Sequence, residues 1–272
     1  MQHAFNTPEP PVLFIEIGSG NVFVAATDTD QTTIEVTGPH AEEVTVEQRG
    51  HEIVVIAPKR IGFFGGGRDL RVDAQVPTHT ELGTRLGSAD VVVTGTIGWA
   101  KINNGSGNVT LEDVSAEALV KTGSGDITIR TIEGSANLGS GSGDIRVDRL
   151  QGPAQVSSGS GDVEIGYAGA PLSLKSGSGD LKVHDATGDI ALASGSGDLL
   201  VDRFPAGKLT AKNASGDIRV GIPAGVPVWT DVTSVSGRVR STLEGAGQPS
   251  EGQQYVELRA KTVSGDVVLQ QL

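Results

Sequence analysis

Residues 122–145 read Thr-Gly-Ser-Gly-Asp-Ile-Thr-Ile-Arg-Thr-Ile-Glu-Gly-Ser-Ala-Asn-Leu-Gly-Ser-Gly-Ser-Gly-Asp-Ile. Ser-Gly-Asp followed by an aliphatic residue occurs twice in this stretch, 18 residues apart. The spacing continues in both directions. The acidic or amide position falls at Asp90, Asn108, Asp126, Asp144, Asp162, Asp180 and Asp198, steps of 18 without an insertion. It then loosens to Asp217, Arg238 and Asp266. A strict period of this length means one supersecondary unit stacked many times, each copy burying its apolar face on the next.

The columns of the repeat define that unit. Counting from Asp126, aliphatic residues stand at Ile127, Ile129 and Ile132, and again at Ala136 and Leu138. The coil from Asp144 repeats this with Ile145, Val147, Leu150, Ala154 and Val156. Positions +1/+3 and +10/+12 alternate with period two, which reads as two short strands per coil. Gly134 and the run Ser140-Gly141-Ser142-Gly143 mark the corners, where glycine opens backbone conformations closed to other residues. Strands separated by such corners pair with their equivalents in the next coil, about 4.8 Å away. The fold class is all-β: a parallel β-solenoid (β-helix), right-handed because parallel crossovers nearly always are.

Residues 1–85 are strand-rich but off-period, and are expected to form an N-terminal β-rich cap over the first solenoid edge. Ser19-Gly20-Asn21-Val22 reads as a degenerate early copy of the motif. Residues 86–272 are expected to be the solenoid, continuous with the cap and less regular after 217. The last motif, Val263-Ser264-Gly265-Asp266-Val267, is expected to form the terminal coil.

The columns Thr/Ser-Gly-Ser-Gly-Asp-Ile/Val-x-Val/Ile, with an off-period β-rich N-terminus ending near Val76-Pro77, resemble a bacterial β-strand-repeat family of putative adhesins of unknown function. The resemblance covers roughly residues 12–272. It implies a β-solenoid and an adhesin-like, non-enzymatic role.

Composition narrows the function classes. Lys and Arg number 21 against 33 Asp and Glu, a net charge of −12. This acidic chain argues against nucleic acid and anionic membrane surfaces, which attract basic faces. Aromatic residues are only 4 %, so a thin Val/Ile/Leu/Ala core is expected. There is no cysteine, hence no disulfide framework and no thiolate metal site. MQHAFNTPEPP lacks the basic and apolar regions of a signal peptide. No stretch approaches the ~18 apolar residues of a membrane helix. Cytoplasmic location, with export by a route that uses no classical signal as the alternative, no membrane insertion and no cofactor are the expectations.

The Asp column invites a chemical reading. Asp126, Asp144, Asp162, Asp180, Asp198 and Asp217, with Ser142, Ser160, Ser178 and Ser196, are read as structural residues of the turn ladder. An Asp at a strand entry accepts backbone N–H bonds, and Asn108 keeps that acceptor without the charge. The alternative is calcium held by Asp126, Asp144, Asp162 and Asp180. Calcium β-rolls repeat their motif every nine residues, whereas the half-coil positions here are Glu117, Ser135, Pro153, Pro171, Asp189 and Gly207. No catalytic motif is present, and Asp148 and Asp202 lie too far apart for a glycosidase pair.

The expected role is therefore an interaction scaffold that binds a protein partner or associates with itself through solenoid ends. A calcium- or glycan-binding module is the alternative, and a polysaccharide-acting enzyme stands behind it. Candidate contact residues are Phe63, Phe64, Trp99, Tyr167, Trp229 and Tyr255, together with Val267 and Leu269 on the expected terminal coil.

Overall fold

A computed structural model describes residues 1–58, 70–245 and 252–272. The chain forms two compact units, Met1–Gly134 and Ser135–Leu272. Each is a parallel β-solenoid in its own right.

Unit 1 contains β1 (Gln2–Asn6), β2 (Val12–Thr27), β3 (Gln31–Thr37), β4 (Thr45–Arg49), β5 (Glu52–Ile56), β6 (Arg71–Pro77) and β7 (Glu81–Ile97). It continues with β8 (Ala100–Asn104), β9 (Val109–Val114), β10 (Ala118–Thr122) and β11 (Ile127–Ile132). One 3-10 turn, Ala41–Glu43, follows His40, which adopts a left-handed φ of 60°. Parallel pairing joins β7 to β8 and β9, then β8 to β10 and β9 to β11.

The stack also extends toward the N-terminus. β2 pairs in parallel along β7, with Asn21 opposite Asp90 and Val22 opposite Val91. β5 and β6 pair in parallel with the other edge of β2. Two layers of the stack thus precede residue 80. Only beyond them does pairing become antiparallel: β3 on β6, β1 on β3, and β4 on β5.

Unit 2 begins with β12 (Ala136–Ser140), β13 (Ile145–Leu150), β14 (Ala154–Ser158), β15 (Val163–Ala168), β16 (Leu172–Ser176), β17 (Leu181–Ala186), β18 (Ile190–Ser194) and β19 (Leu199–Arg203). Each pairs in parallel with the strand two places on, Ile145 with Val163 and Val163 with Leu181. The burial pattern of β13, β15 and β17 has two consecutive outward positions after +3. This bend returns +6 to the interior, so Leu150, Ala168 and Ala186 join the core. The corners leave no space. A Cβ on Gly161 would lie 2.2 Å from the Gly143 carbonyl oxygen of the preceding coil.

The last coils stack out of chain order. β20 (Gly207–Ser215) and β21 (Ile218–Ile222) form one layer, β22 (Val228–Ser234) and β23 (Val239–Ser241) the next in sequence, and β24 (Val256–Ser264) and β25 (Val267–Gln271) the last. In space β24 lies between β20 and β22, and β25 between β21 and β23. Val267, Val268 and Leu269 are therefore paired on both edges, and Val267 and Leu269 are buried. This corrects the expectation that they form the open end. The physical reason lies in the inward positions. Residues 256–269 offer Val256, Leu258, Ala260, Val267 and Leu269, whereas 228–241 offer Val228, Thr230, Val232, Val239 and Ser241. The more apolar coil is the one enclosed on both sides.

Layer order is open to measurement. Leu258→Ala, in the enclosed layer, is expected to cost about 2–5 kcal/mol. Val232→Ala, in the outer layer, is expected to cost under about 1 kcal/mol. Urea unfolding midpoints give the comparison, and the opposite ranking would return residues 256–271 to the end of the stack.

Candidate interaction edge

The Asp column is a chain of hydrogen bonds between layers. In unit 1, Asp90 Oδ1 accepts the Asn108 N–H at 2.8 Å, and Asn108 Oδ1 accepts that of Asp126 at 2.9 Å. In unit 2, Oδ1 of Asp144, Asp162 and Asp180 accepts the N–H of Asp162, Asp180 and Asp198 at 2.8, 2.8 and 2.7 Å. The ladder then runs from Asp198 to Asp217 (2.8 Å), from Asp217 to Asp266 (2.9 Å) and from Asp266 to the N–H of Arg238 (2.9 Å). Carboxylates one layer apart repel by about 1 kcal/mol in water's dielectric. A hydrogen bond to a charged acceptor contributes about 1.5–3 kcal/mol, so the bond wins.

The serine ladder differs from expectation. Ser142, Ser160, Ser178 and Ser196 are exposed. The working hydroxyls lie two residues earlier. Oγ of Ser140, Ser158, Ser176 and Ser194 accepts the N–H of Gly143, Gly161, Gly179 and Gly197 at 2.8–3.1 Å. Ser194 also donates back to the Gly179 carbonyl at 3.3 Å. The corner alternates inward and outward like a strand, so only one serine of Ser-Gly-Ser-Gly can face in. Asn104, Thr122, Asn213 and Thr262 hold the same buried column where serine is absent.

Among the described residues, the one cluster of at least three potential metal ligands is the exposed His40, Glu42 and Glu43. The Asp column forms no such cluster.

The outward face carries one bracketed imidazole. His184 on β17 lies 2.7 Å through Nε2 from Glu164 Oε1 on β15, and 2.7 Å through Nδ1 from Asp202 Oδ2 on β19. Arg146 Nη1 donates to Glu164 Oε2 at 2.7 Å. The hydrogen bond with His184, and then the charge of Arg146, hold the Glu164 carboxyl below the usual carboxylate range against the opposing effect of partial burial. The Asp202 bond follows the period, since Asp202 stands 18 residues after His184 in the same outward column; the Glu164 bond runs diagonally between two outward columns and is made only by the folded strands.

The remaining candidate contacts separate clearly. Phe63 and Phe64 lie outside the described residues. Trp99 is half-buried and Tyr167 is engaged, its OH 3.3 Å from Thr187 Oγ1 and its ring beneath Arg149 at 4.9 Å. Trp229 and Tyr255 are exposed, 52 % and 50 %. They are joined by Val235, Val239 and Val263. All five belong to the last two spatial layers of unit 2.

The outermost of these layers is the β22–β23 coil. Among the described residues, β22 pairs only with β24 and β23 only with β25. Among the described residues, no strand is layered over the inward side chains Val228, Thr230, Val232, Val239 and Ser241. With Leu243 and Glu244 they line an open cavity of about 320 Å³. Trp229, on the outward side of β22, stacks under Arg259 at 5.5 Å.

Two variants check the local chemistry. Asp180→Ala removes the acceptor for Asp198 N–H and is expected to cost about 1 kcal/mol, while Asp180→Asn stays near wild type; equal losses in thermal melts would refute the ladder. A carboxyl held below its ordinary range contributes stability that is present above that range and lost as pH falls through the folded-state value. Glu164→Gln is therefore expected to flatten the decline of stability below about pH 5. An unchanged acid slope would refute that contribution.

Comparison with known proteins agrees with this architecture. The family described as Toastrack DUF4097 matches residues 12–174 and 166–270. Among solved structures, a putative adhesin from Bacteroides fragilis shares 17 % identity, over 74 % of this chain and 95 % of its own, with a TM-score of 0.58. A putative adhesin from Parabacteroides merdae shares 12 % identity over 99 % of this chain and 95 % of its own, with a TM-score of 0.48. No curated protein matches the chain. Among the described residues, no helix is long and apolar enough to cross a membrane. A chain whose β-solenoid repeat is matched almost from end to end in this way belongs to the Toastrack DUF4097 family.

Proposed function

We propose that this protein is a non-catalytic, adhesin-like interaction scaffold whose working surface is the outer β22–β23 coil of unit 2. One observation carries the reading: among the described residues, a complete layer is paired on one edge only and its inward side chains line an open cavity. Unpaired strand edges template the addition of another strand, and natural proteins cover or blunt them unless they are used. The exposed Trp229, Val235 and Val239 belong to this layer, and the exposed Tyr255 and Val263 to the layer it pairs with. Large exposed apolar side chains gathered in one region mark an interaction site.

Affinity capture from the native cell tests the reading when wild type is compared with Val239→Lys and with a control on β16 of the same unit, the exposed Lys175→Ala. Val239 is 50 % exposed, so the lysine is tolerated by the fold. The expected result is a partner retained by wild type and control and lost by Val239→Lys. Capture indifferent to the edge would overturn the proposal. Sedimentation across a concentration series distinguishes a second copy of the chain from a different protein.

A further inference from the structure

We infer that the edge coil receives an extended acidic–aliphatic segment of a partner protein, laid on it as one more layer with a carboxylate against Arg238. The inference rests on the reading of β22–β23 as the working edge and adds the chemistry of what docks there.

The argument begins with the ladder. From Asp144 to Asp266, each layer of unit 2 presents a carboxylate oxygen that accepts the next layer's backbone N–H. The outermost layer holds Arg238 in that column, its own N–H bonded to Asp266 Oδ1 at 2.9 Å. A guanidinium has no acceptor, so the ladder stops there. Arg238 is exposed and has no ion pair among the described residues. Whatever adds the next layer, about 4.8 Å away, meets a cation where every earlier layer met an anion. Arg240, two residues on, reaches back toward Asp266 at 3.6 Å and adds a second guanidinium to this rim.

The rest of the surface sets the remaining requirements. Val239 and Ser241 occupy the +1 and +3 positions after Arg238, and their pairing partners are Val267 and Leu269. An added strand continuing those columns places aliphatic side chains at its own +1 and +3, over the open cavity. The sequence pattern that fits is acidic–aliphatic–x–aliphatic. A second copy of the chain fits poorly through this same edge. Antiparallel pairing of β22 with its copy centres Asp231 on Asp231, and pairing of β23 centres Arg240 on Arg240. Like charges directly opposite are destabilising.

A labelled synthetic peptide spanning residues 154–168, Ala-Gln-Val-Ser-Ser-Gly-Ser-Gly-Asp-Val-Glu-Ile-Gly-Tyr-Ala, carries this pattern in a two-strand layer. Its binding to the full chain is read by fluorescence anisotropy, alongside a peptide with Asp162→Asn. Wild type is expected to prefer the Asp peptide by about tenfold. Arg238→Met, with circular dichroism confirming the fold, is expected to bind both peptides equally. A preference that persists in Arg238→Met, or is absent from wild type, overturns the carboxylate assignment while leaving the edge reading intact. Binding that survives Val239→Lys, or no binding to wild type up to about 1 mM, overturns the edge reading itself.

Discussion

Everything in this structure depends on the close approach of one backbone layer to the next at the corner. A parallel stack satisfies each strand's N–H and C=O groups only if its corners also stay within hydrogen-bonding reach. At Gly161 the carbonyl of the preceding coil lies 2.2 Å from where a Cβ would be. Glycine is thus required by proximity to the neighbouring coil. The following residue's N–H needs an acceptor, and the Asp or Asn of the layer before supplies it. The buried serine ties the glycine N–H to the inside of the same corner. Three adjacent side-chain choices solve one backbone problem, and repeating the problem repeats the answer.

A repeat that can always add another layer must also be brought to an end. In unit 1 the stack passes from parallel to antiparallel pairing at β3, β1 and β4, which changes the edge that is offered. In unit 2 the outermost layer is paired on one edge only among the described residues, and two devices distinguish it. The coil with Thr230 and Ser241 in its inward columns takes the outside, where partial hydration costs least. The Asp column ends in Arg238, which withdraws the acceptor a further layer would use. Together these set the outer edge apart from the layers beneath it.

The outward face serves the same economy of register. Arg146, Glu164, His184 and Asp202 link successive strands across three layer steps through exposed or half-exposed groups. Such contacts contribute little individually in water. Their consequence is specificity, since a strand displaced by one residue would turn these charges inward.

How much of this was legible in the chain depends on the range of the interaction. The period of 18, the two strands per coil, the aliphatic core columns and the glycine corners are local patterns, and residues 122–145 suffice to read them. Tyr255 and Trp229 stood out by type. The choice of serine did not, because the two serines of each corner are equivalent in sequence and only packing decides which faces in. The order of the last three layers was equally hidden. Sequence places residues 256–271 last, but a layer is held by its neighbours across space, and a long enough excursion lets the chain return between two coils already made. The sequence by itself determined the repeating unit, because that unit is enforced by contacts between equivalent residues. Only the tertiary structure decided which coil lies outermost, because that choice compares the burial of whole layers, and with it which residues stand exposed at that end.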